Sequence, residues 1–513
     1  MKNPSGHGFE PSLASRTLTA AQWRFASIAV QSVLQFGVTV LLSRLLPPRD
    51  FGLVALALIV TGFARVVSQL GIAPAVIQRR PLTDRHLRAA FTLSVLLGLA
   101  TAVTLVALAP LSAWLFHNSQ VPAILRVVAW TFAVGGVGNT AGALLRRKLD
   151  FRRIFVVAAV SYGVGYAGVA VTLALLGFGV WALVLGALTR AALGAIMNLL
   201  LSPHPCRPLF DRVEVRELLG YGVGTSMHGV GSYLAQIGDN FVTGRWLGSE
   251  RLGLYTRAYG LMMLTQDFVG HIALSVLFPA FSEIQHDRRR LGRAYLFAVQ
   301  LTSLGSAPLM AGILVAAPHL IRGLYGENWS GAILPLQILC AFGLGRSIFP
   351  LGAAVARASG DVYALAWRTW LYAGLVVGLT YLATPFGLPG IALGVGAAIL
   401  AAYLMLARLA LSIVSLGWRD FFGAQASGLL LSLYVAGAAL AVRFGLEAAG
   451  APDITILIAI VGACALALLL GMRWLPERLK PRELSAALGE ASGLPRSVLI
   501  LLERAFALDA ERR

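Results

Sequence analysis

Four arginines lie inside long apolar stretches of the sequence, at positions 65, 190, 257 and 346. A charge near the middle of a membrane costs about 2.5 to 3.5 kcal/mol on insertion scales, so each is expected to face a cavity or a partner. The guanidinium binds phosphate oxygens through two parallel hydrogen bonds and keeps its proton. Arg65, Arg190, Arg257 and Arg346 therefore predict a cationic, substrate-binding cavity. For Arg65, Arg190 and Arg346, which lie deeper, pairing between helices is an open alternative, and for Arg257 the alternative is snorkelling to the interface. Another arginine, Arg368, lies near the cytoplasmic end of its span, where snorkelling is favoured.

Acidic and imidazole side chains also occur in these stretches. Asp267 and His271 are four residues apart and share one helix face, where they can pair with each other or bind a proton. Asp239 can bind an ion or form an ion pair with Arg245, and the ion pair is favoured. We predict a role in ion coupling, by H+ or Na+, or in gating for these residues and for Arg44.

The sequence offers no metal or nucleotide site. Its three cysteines, Cys206, Cys340 and Cys464, are too far apart to form a metal-binding motif or a disulfide framework. No phosphate-binding loop of the Gly-x-x-x-x-Gly-Lys-Ser/Thr type occurs. We therefore predict no cofactor apart from a coupling ion.

The composition identifies the elements that must hold these charges. Of 513 residues, 58% are hydrophobic and 13% are charged, whereas soluble proteins devote about a quarter of their residues to charge. Apolar runs of about 20 residues, long enough to cross the hydrocarbon core as helices, recur from Trp23 to Leu470. We predict an all-α integral membrane protein with about fourteen transmembrane helices.

The net charge of +19 is distributed unevenly. Arginines cluster in alternate connections, at residues 79–88, 146–153, 207–216 and 288–293, while connections such as "WLFHNSQVP" and "ATPFGLP" contain neither Lys nor Arg. This alternation follows the positive-inside rule and predicts that both termini are cytoplasmic. It argues against nucleic acid as the partner.

A short polar break between two apolar runs occurs twice in the sequence. Arg44, Leu46 and the pair Gly52-Leu53 match Arg245, Leu247 and the pair Gly253-Leu254 at one offset of 201 residues. That offset covers six predicted spans, so the two copies cross the membrane in the same direction and predict two parallel six-helix lobes around a central cavity. The predicted divisions are an N-terminal tail (1–21), an N-lobe (22–205), a C-lobe (206–414), two additional helices (415–472) and an amphipathic cytoplasmic tail (473–513).

Three stretches carry a family resemblance: "LLSRLLPPRDFGLVALA", "GDNFVTGRWLGSERLGLYTRAYGL" and "LFPAFSEIQHDRRRLGRAY". With the span count, they resemble the Wzx-type polysaccharide and lipopolysaccharide flippases of the multidrug/oligosaccharidyl-lipid/polysaccharide exporter superfamily. The resemblance covers roughly residues 20 to 470.

The resemblance implies a function. Such a protein moves an undecaprenyl-diphosphate-linked oligosaccharide across the bacterial inner membrane for exopolysaccharide or lipopolysaccharide assembly, and it is not an enzyme. Its partners are then the lipid-linked oligosaccharide, membrane lipids, and polysaccharide polymerase and export proteins.

Two other functions are open. A cation-coupled multidrug exporter of the same superfamily would favour an acidic, aromatic cavity, whereas the intramembrane charges here are chiefly positive. A membrane polysaccharide polymerase or glycosyltransferase would need a sizeable outer loop, and the longest outer connections here have about fifteen residues.

Overall fold

The computed structural model describes residues 31–68, 72–79, 81–211 and 222–474. Within these ranges every regular element is helical. The first half contains α1 (31–45), α2 (Pro48–Ser68), α3 (Ile72–Gln78), α4 (Asp84–Phe116), α5 (Val121–Arg147), α6 (Phe151–Val160), α7 (Val169–Leu175) and α8 (Val180–Leu201). A π-helical segment, Ser161–Gly168, joins α6 to α7.

The second half continues the pattern with longer helices. It contains α9 (Gly222–Val242), α10 (Gly248–Glu283), α11 (Arg288–Leu320), α12 (Ile333–Ala358), α13 (Val362–Leu382), α14 (Gly387–Val414), α15 (Trp418–Ala448) and α16 (Asp453–Trp474). Two further π-helical segments, Thr243–Leu247 and Ile321–Tyr325, follow α9 and α11. A 3-10 helix, Glu327–Ala332, leads into α12.

Ten helical segments in the described ranges are long and apolar enough to cross a membrane. The predicted all-α integral membrane class is confirmed. The count of fourteen spans and the division into two six-helix lobes stay predictions. Residues 1–21 and nearly all of the tail 473–513 lie outside the described residues.

The chain divides into two compact units. The first comprises Met1–Leu45, Val60–Ala113 and Gln120–Met227, and the second comprises Leu46–Ile59, Trp114–Ser119 and His228–Arg513. The Gly-Leu pairs of both copies of the repeated break therefore belong to the second unit.

Small residues let helices approach closely inside each unit, as expected in lipid. In the first unit, a side chain at Gly138 would meet the backbone of Ala195. In the second unit, a side chain at Gly428 would overlap Ser303, and one at Gly352 would press on the backbone of Leu406. These glycines thus have a packing role.

The centre of the second unit is a buried cluster from α10, α11, α12, α14 and α15. Its larger members are Phe281, Leu291, Tyr295, Ile348, Tyr403 and Phe421. Asp287 caps α11, because its carboxylate accepts from the backbone N–H groups of Arg289 and Arg290, both at 3.0 Å. The N–H of Arg290 is the main reason that the pKa of this exposed carboxyl is lowered.

A polar cluster attaches α15 and α16 to α11. The buried His319 side chain in α11 lies 2.6 Å from Asp453 Oδ1 through Nδ1 and 2.9 Å from Glu447 Oε1 through Nε2. Arg443 also donates to Glu447 at 2.9 Å. Because ionised carboxylates only accept hydrogen bonds, both ring nitrogens must donate when both acids are ionised, so the imidazole is then a cation.

Candidate functional site

A cavity of about 200 Å³ lies inside the second unit, between α9, α12, α13 and α14. Three of its fourteen lining residues are arginines: Arg346, Arg357 and Arg368. Gln236, Thr369 and Tyr372 add polar groups, and the other lining residues are apolar. No carboxylate lines the cavity in the part of the chain that the structure describes. Three of the described lining side chains are therefore cationic, and none is anionic.

Helix geometry explains how one helix supplies two of these arginines. Arg346 and Arg357 are eleven residues apart in α12, which is about three helical turns, so they lie on nearly the same face roughly 16 Å apart along the axis. Arg368 is on the next helix, α13, where its guanidinium donates to the carbonyl of Ala364 at 2.6 Å. The arginines are thus spread along the cavity wall.

Arg346 is the most enclosed of the three. Its guanidinium carbon lies 4.8 Å from the centre of the Phe349 ring, close enough for a cation–π interaction. The Tyr259 side chain lies beside the guanidinium. The buried Nε has no hydrogen-bond partner among the described residues. Since an unsatisfied buried donor is costly, this N–H is suited to a ligand oxygen.

Asp239 lies in α9 and is only 2% exposed. Its Oδ2 accepts a hydrogen bond from the Tyr255 hydroxyl at 2.7 Å, and its Oδ1 accepts from the backbone N–H of Asn240 at 2.7 Å. The rings of Tyr255 and Tyr259 lie 5.9 Å apart. Tyr255 thus holds Asp239, and the neighbouring Tyr259 lies beside Arg346.

The favoured ion pair between Asp239 and Arg245 is wrong. Nη1 of Arg245 lies 2.6 Å from Nε2 of His117, and the guanidinium lies between Trp114 and Trp246, 6.0 and 5.9 Å from the ring centres. The π-helical segment Thr243–Leu247 separates Arg245 from the regular turns of α9. Even in a regular α-helix, residues six apart lie about 120° apart around the axis, so the spacing itself disfavours this pair.

Arg257 does not line the cavity. Its guanidinium carbon lies 4.1 Å from the centre of the Phe51 ring and 5.9 Å from that of the fully buried Trp329. Arg257 is half-buried in this aromatic environment.

In the first unit, Arg190 lies 5.0 Å from the centre of the Tyr162 ring and is exposed, as is Arg65 in the last turn of α2. Arg44 in α1 is also exposed. The side chains of Asp267 and His271 lie outside the described residues. The substrate-binding, coupling and gating roles of all these residues stay predictions.

Sequence reasoning missed Arg357 and assigned Arg368 to snorkelling. Both lie near helix ends, where basic residues usually interact with the interface. The usable signal was the eleven-residue spacing between Arg346 and Arg357. Within the described residues, no group of His, Cys, Asp and Glu is arranged to hold a metal ion.

Comparison with known proteins gives the family. Residues 41–334 match the family described as "Polysaccharide biosynthesis protein". The chain is 26% identical over 361 residues to the lipopolysaccharide biosynthesis protein WzxC of Escherichia coli strain K12, covering 68% of this chain and 72% of that protein.

Solved structures show the fold. The lipid II flippase MurJ in an inward closed conformation superposes with a TM-score of 0.69 at 15% identity, covering 88% of this chain and 98% of that one. An inward-facing multidrug resistance MATE family transporter of the MOP superfamily gives 0.63 at 18% identity, covering 75% and 95%. The predicted resemblance to the flippases of this superfamily is confirmed. With more than half of its length matched, the chain belongs to the polysaccharide biosynthesis protein family.

Proposed function

We propose that the protein is a flippase for undecaprenyl-diphosphate-linked oligosaccharide. It moves this lipid from the cytoplasmic to the periplasmic leaflet of the bacterial inner membrane, for exopolysaccharide or lipopolysaccharide biosynthesis. Family membership and the name of the WzxC relative support the pathway. The fold shared with the lipid II flippase and the MATE transporter supports alternating access.

The observation that carries this proposal is the charge of the cavity. Three arginines face one small space, and the described lining contains no carboxylate. Such a cavity attracts an anion and repels a cation, because the positive potentials of the three guanidinium groups add together. It therefore fits a diphosphate better than the cationic drugs that an acidic cavity would bind.

Each arginine has a distinct part in holding the head group. Arg368 and Arg357 supply charge along the wall, and Arg346 supplies a buried fork whose Nε–H donates to a phosphate oxygen. Gln236 and Tyr372 can donate to the remaining oxygens. The sugars and the prenyl chain extend beyond the cavity, whose volume of about 200 Å³ accommodates only a small part of the cargo.

Asp239 is the proposed coupling residue. A proton or Na+ bound to its carboxylate removes a negative charge that acts on Arg346. The positive charge of Arg346 is then offset less and attracts the phosphate more strongly, so the ion and the cargo bind cooperatively. By linkage, bound cargo increases the affinity for the ion by the same factor. Asp267, His271, Arg44 and Arg245 remain further candidates for coupling or gating.

The test is to locate the lipid-linked oligosaccharide in cells that lack the protein. Membrane-impermeant periodate oxidises only outward-facing glycan on spheroplasts. The proposal expects protected glycan in the deletion strain, outward glycan with the wild-type gene, and protected glycan again with Arg346→Gln. A matched control, Arg322→Gln, changes an exposed arginine outside the cavity and should restore translocation.

Three results would contradict the proposal. Unpolymerised outward glycan in the deletion strain would indicate the polymerase function. Outward efflux of a cationic dye that depends on this protein, with unchanged glycan location, would indicate the multidrug exporter. Normal translocation by Arg346→Gln at wild-type membrane levels would remove the cavity from the mechanism. The same assay applies to Arg65→Ala and Arg190→Ala, for which we also predict reduced translocation.

A further inference from the structure

A second group of side chains, separate from the arginine cavity, combines exposed aromatic rings with hydrogen-bond donors. We call it the aromatic–arginine cluster; its members are Trp114, His117, Arg245, Trp246 and Tyr381. They come from the ends of α4, α9 and α13 that the charge pattern predicts to be periplasmic. All five belong to the second compact unit.

The rings of this cluster meet one another. Trp246 and Tyr381 have ring centres 5.0 Å apart, edge to face, and Phe241 lies 6.2 Å behind Trp246. Trp114 is 72% exposed, and nearly half of the surface of Trp246 and Tyr381 is also exposed. Aromatic residues that only anchor a protein in the interface are distributed around its circumference. Here two tryptophans converge on one guanidinium.

The polar groups are arranged to donate. Arginine only donates hydrogen bonds, so Nε2 of His117 must be the accepting nitrogen at 2.6 Å, which leaves Nδ1–H as a donor on an exposed ring. Arg245 has four further N–H groups, and no carboxylate is recorded beside it among the described residues. The cluster thus presents several donors beside exposed ring faces.

The local backbone is unusual at both polar residues. His117 has a φ of 48°, in the left-handed region that residues other than glycine seldom adopt. Arg245 and Trp246 belong to a π-helical segment, and single π turns inside helices are frequent at functional sites. Both features turn side chains toward the same place, and the unfavourable His117 backbone must be offset by its surroundings.

We infer that the aromatic–arginine cluster binds the glycan of the cargo on the periplasmic side. The C–H faces of a sugar ring are weakly positive and stack on the negative face of tryptophan or tyrosine. Hydroxyl and carboxylate groups of the sugar accept from Arg245 and His117. This inference rests on the proposed function, and it assigns the lipid diphosphate and the glycan to two different sites.

The test uses the glycan without its lipid. Mild acid releases a water-soluble oligosaccharide from the lipid-linked pool of a strain that lacks the protein. The full-length protein is placed in phosphatidylcholine nanodiscs, and binding is measured by calorimetry. Trp246→Leu keeps apolar bulk but removes the ring, so we expect at least about tenfold weaker binding. Trp246→Phe keeps a ring and should lose less than about threefold.

Trp418→Leu is the matched control. Trp418 is similarly exposed and also stacks on a neighbouring ring, Phe422, but it begins α15 at the opposite predicted membrane face. We expect this variant to bind the glycan like the wild type. Equal losses in Trp246→Leu and Trp418→Leu would mean that any interfacial tryptophan matters, and would overturn the inference.

A lipid head group is the rival ligand. We expect glycan affinity to be unchanged when half of the phosphatidylcholine is replaced by phosphatidylglycerol. Competition by phosphatidylglycerol that Trp246→Leu abolishes would show a lipid site and overturn the inference, as would the absence of glycan binding by the wild type.

The two proposals can fail separately. Arg346→Gln should block translocation but leave binding of the free glycan intact. If the glycan binds through Trp246 while the periodate assay shows no translocation by the wild type, the proposed function fails and the glycan site stands. If translocation is normal but Trp246→Leu binds glycan like the wild type, only the glycan site fails.

Discussion

Gly52 and Gly253 pack so closely that neither position has room for a side chain. A Cβ atom at Gly52 would overlap the carbonyl oxygen of Ser249, and one at Gly253 would overlap that of Pro48. The offset between Pro48 and Ser249 equals that between Gly52 and Gly253. The contact is therefore pseudo-symmetric: each copy of the repeated break packs its glycine on the same carbonyl of the other copy.

The first prediction follows from this contact. Gly52→Ala and Gly253→Ala should each destabilise the protein by about 1 to 3 kcal/mol or more, because the added methyl group meets rigid backbone. Thermal unfolding in detergent and the amount of protein in the membrane measure the effect. Gly437→Ala in α15 is the control, since nothing lies near that position, and alanine should be neutral or slightly stabilising there. Equal behaviour of the three variants would contradict the close contact.

The existence of the repeat was predictable from the sequence, because a close contact between two backbones requires glycine. The two copies therefore have glycine at matching positions. The helical class was predictable for a similar reason, since lipid requires every backbone group to be satisfied inside its own segment. The contact between the two glycines was not predictable. A constant offset shows that two segments are equivalent, but it does not show that they touch.

The candidate site was predicted only in part. Arg346 was identified because a charge inside an apolar run is rare. Arg357 and Arg368 were not assigned to the cavity, since near helix ends their types are equally suited to the membrane interface. The partner of Asp239 was wrong because residues six apart in a helix do not share a face, and Arg245 instead contacts His117.

The second prediction concerns the arginine fork. Lysine keeps the charge of arginine but lacks its two parallel donors. Arg346→Lys should therefore weaken binding of the lipid diphosphate about tenfold or more, while Arg368→Lys at the more open part of the cavity should have a small effect. Binding of the extracted lipid-linked oligosaccharide to protein in nanodiscs measures this difference. Unchanged binding in both variants would favour a purely electrostatic role for the cavity.

The third prediction concerns Asp239. Asp239→Asn preserves the shape of the side chain but cannot take up a proton or hold a cation by charge. We expect translocation by this variant to lose its response to an imposed proton or Na+ gradient. Tyr255→Phe removes one hydrogen bond to the carboxylate, of the kind that contributes about 1.5 to 3 kcal/mol, and should alter the response without abolishing it. An unchanged gradient response in Asp239→Asn would exclude Asp239 as the coupling residue.

The fourth prediction concerns the attachment of α15 and α16 to α11. His319 bridges Asp453 and Glu447, so His319→Phe fills the same space but leaves two carboxylates close together with Arg443 as the remaining recorded cation. Loss of the buried imidazole removes the group that joins the two carboxylates, and we expect a clear loss of thermal stability.

Adding Asp453→Asn to His319→Phe should recover part of that loss, because it removes one of the repelling charges. The double-mutant cycle then gives a coupling energy between the two residues, measured from thermal or denaturant unfolding in detergent. His286→Phe is the matched control, because His286 is an exposed histidine that precedes the Asp287 cap, and its replacement should leave thermal stability nearly unchanged. Strictly additive effects of His319→Phe and Asp453→Asn would mean that the bridge does not hold the helix pair in place.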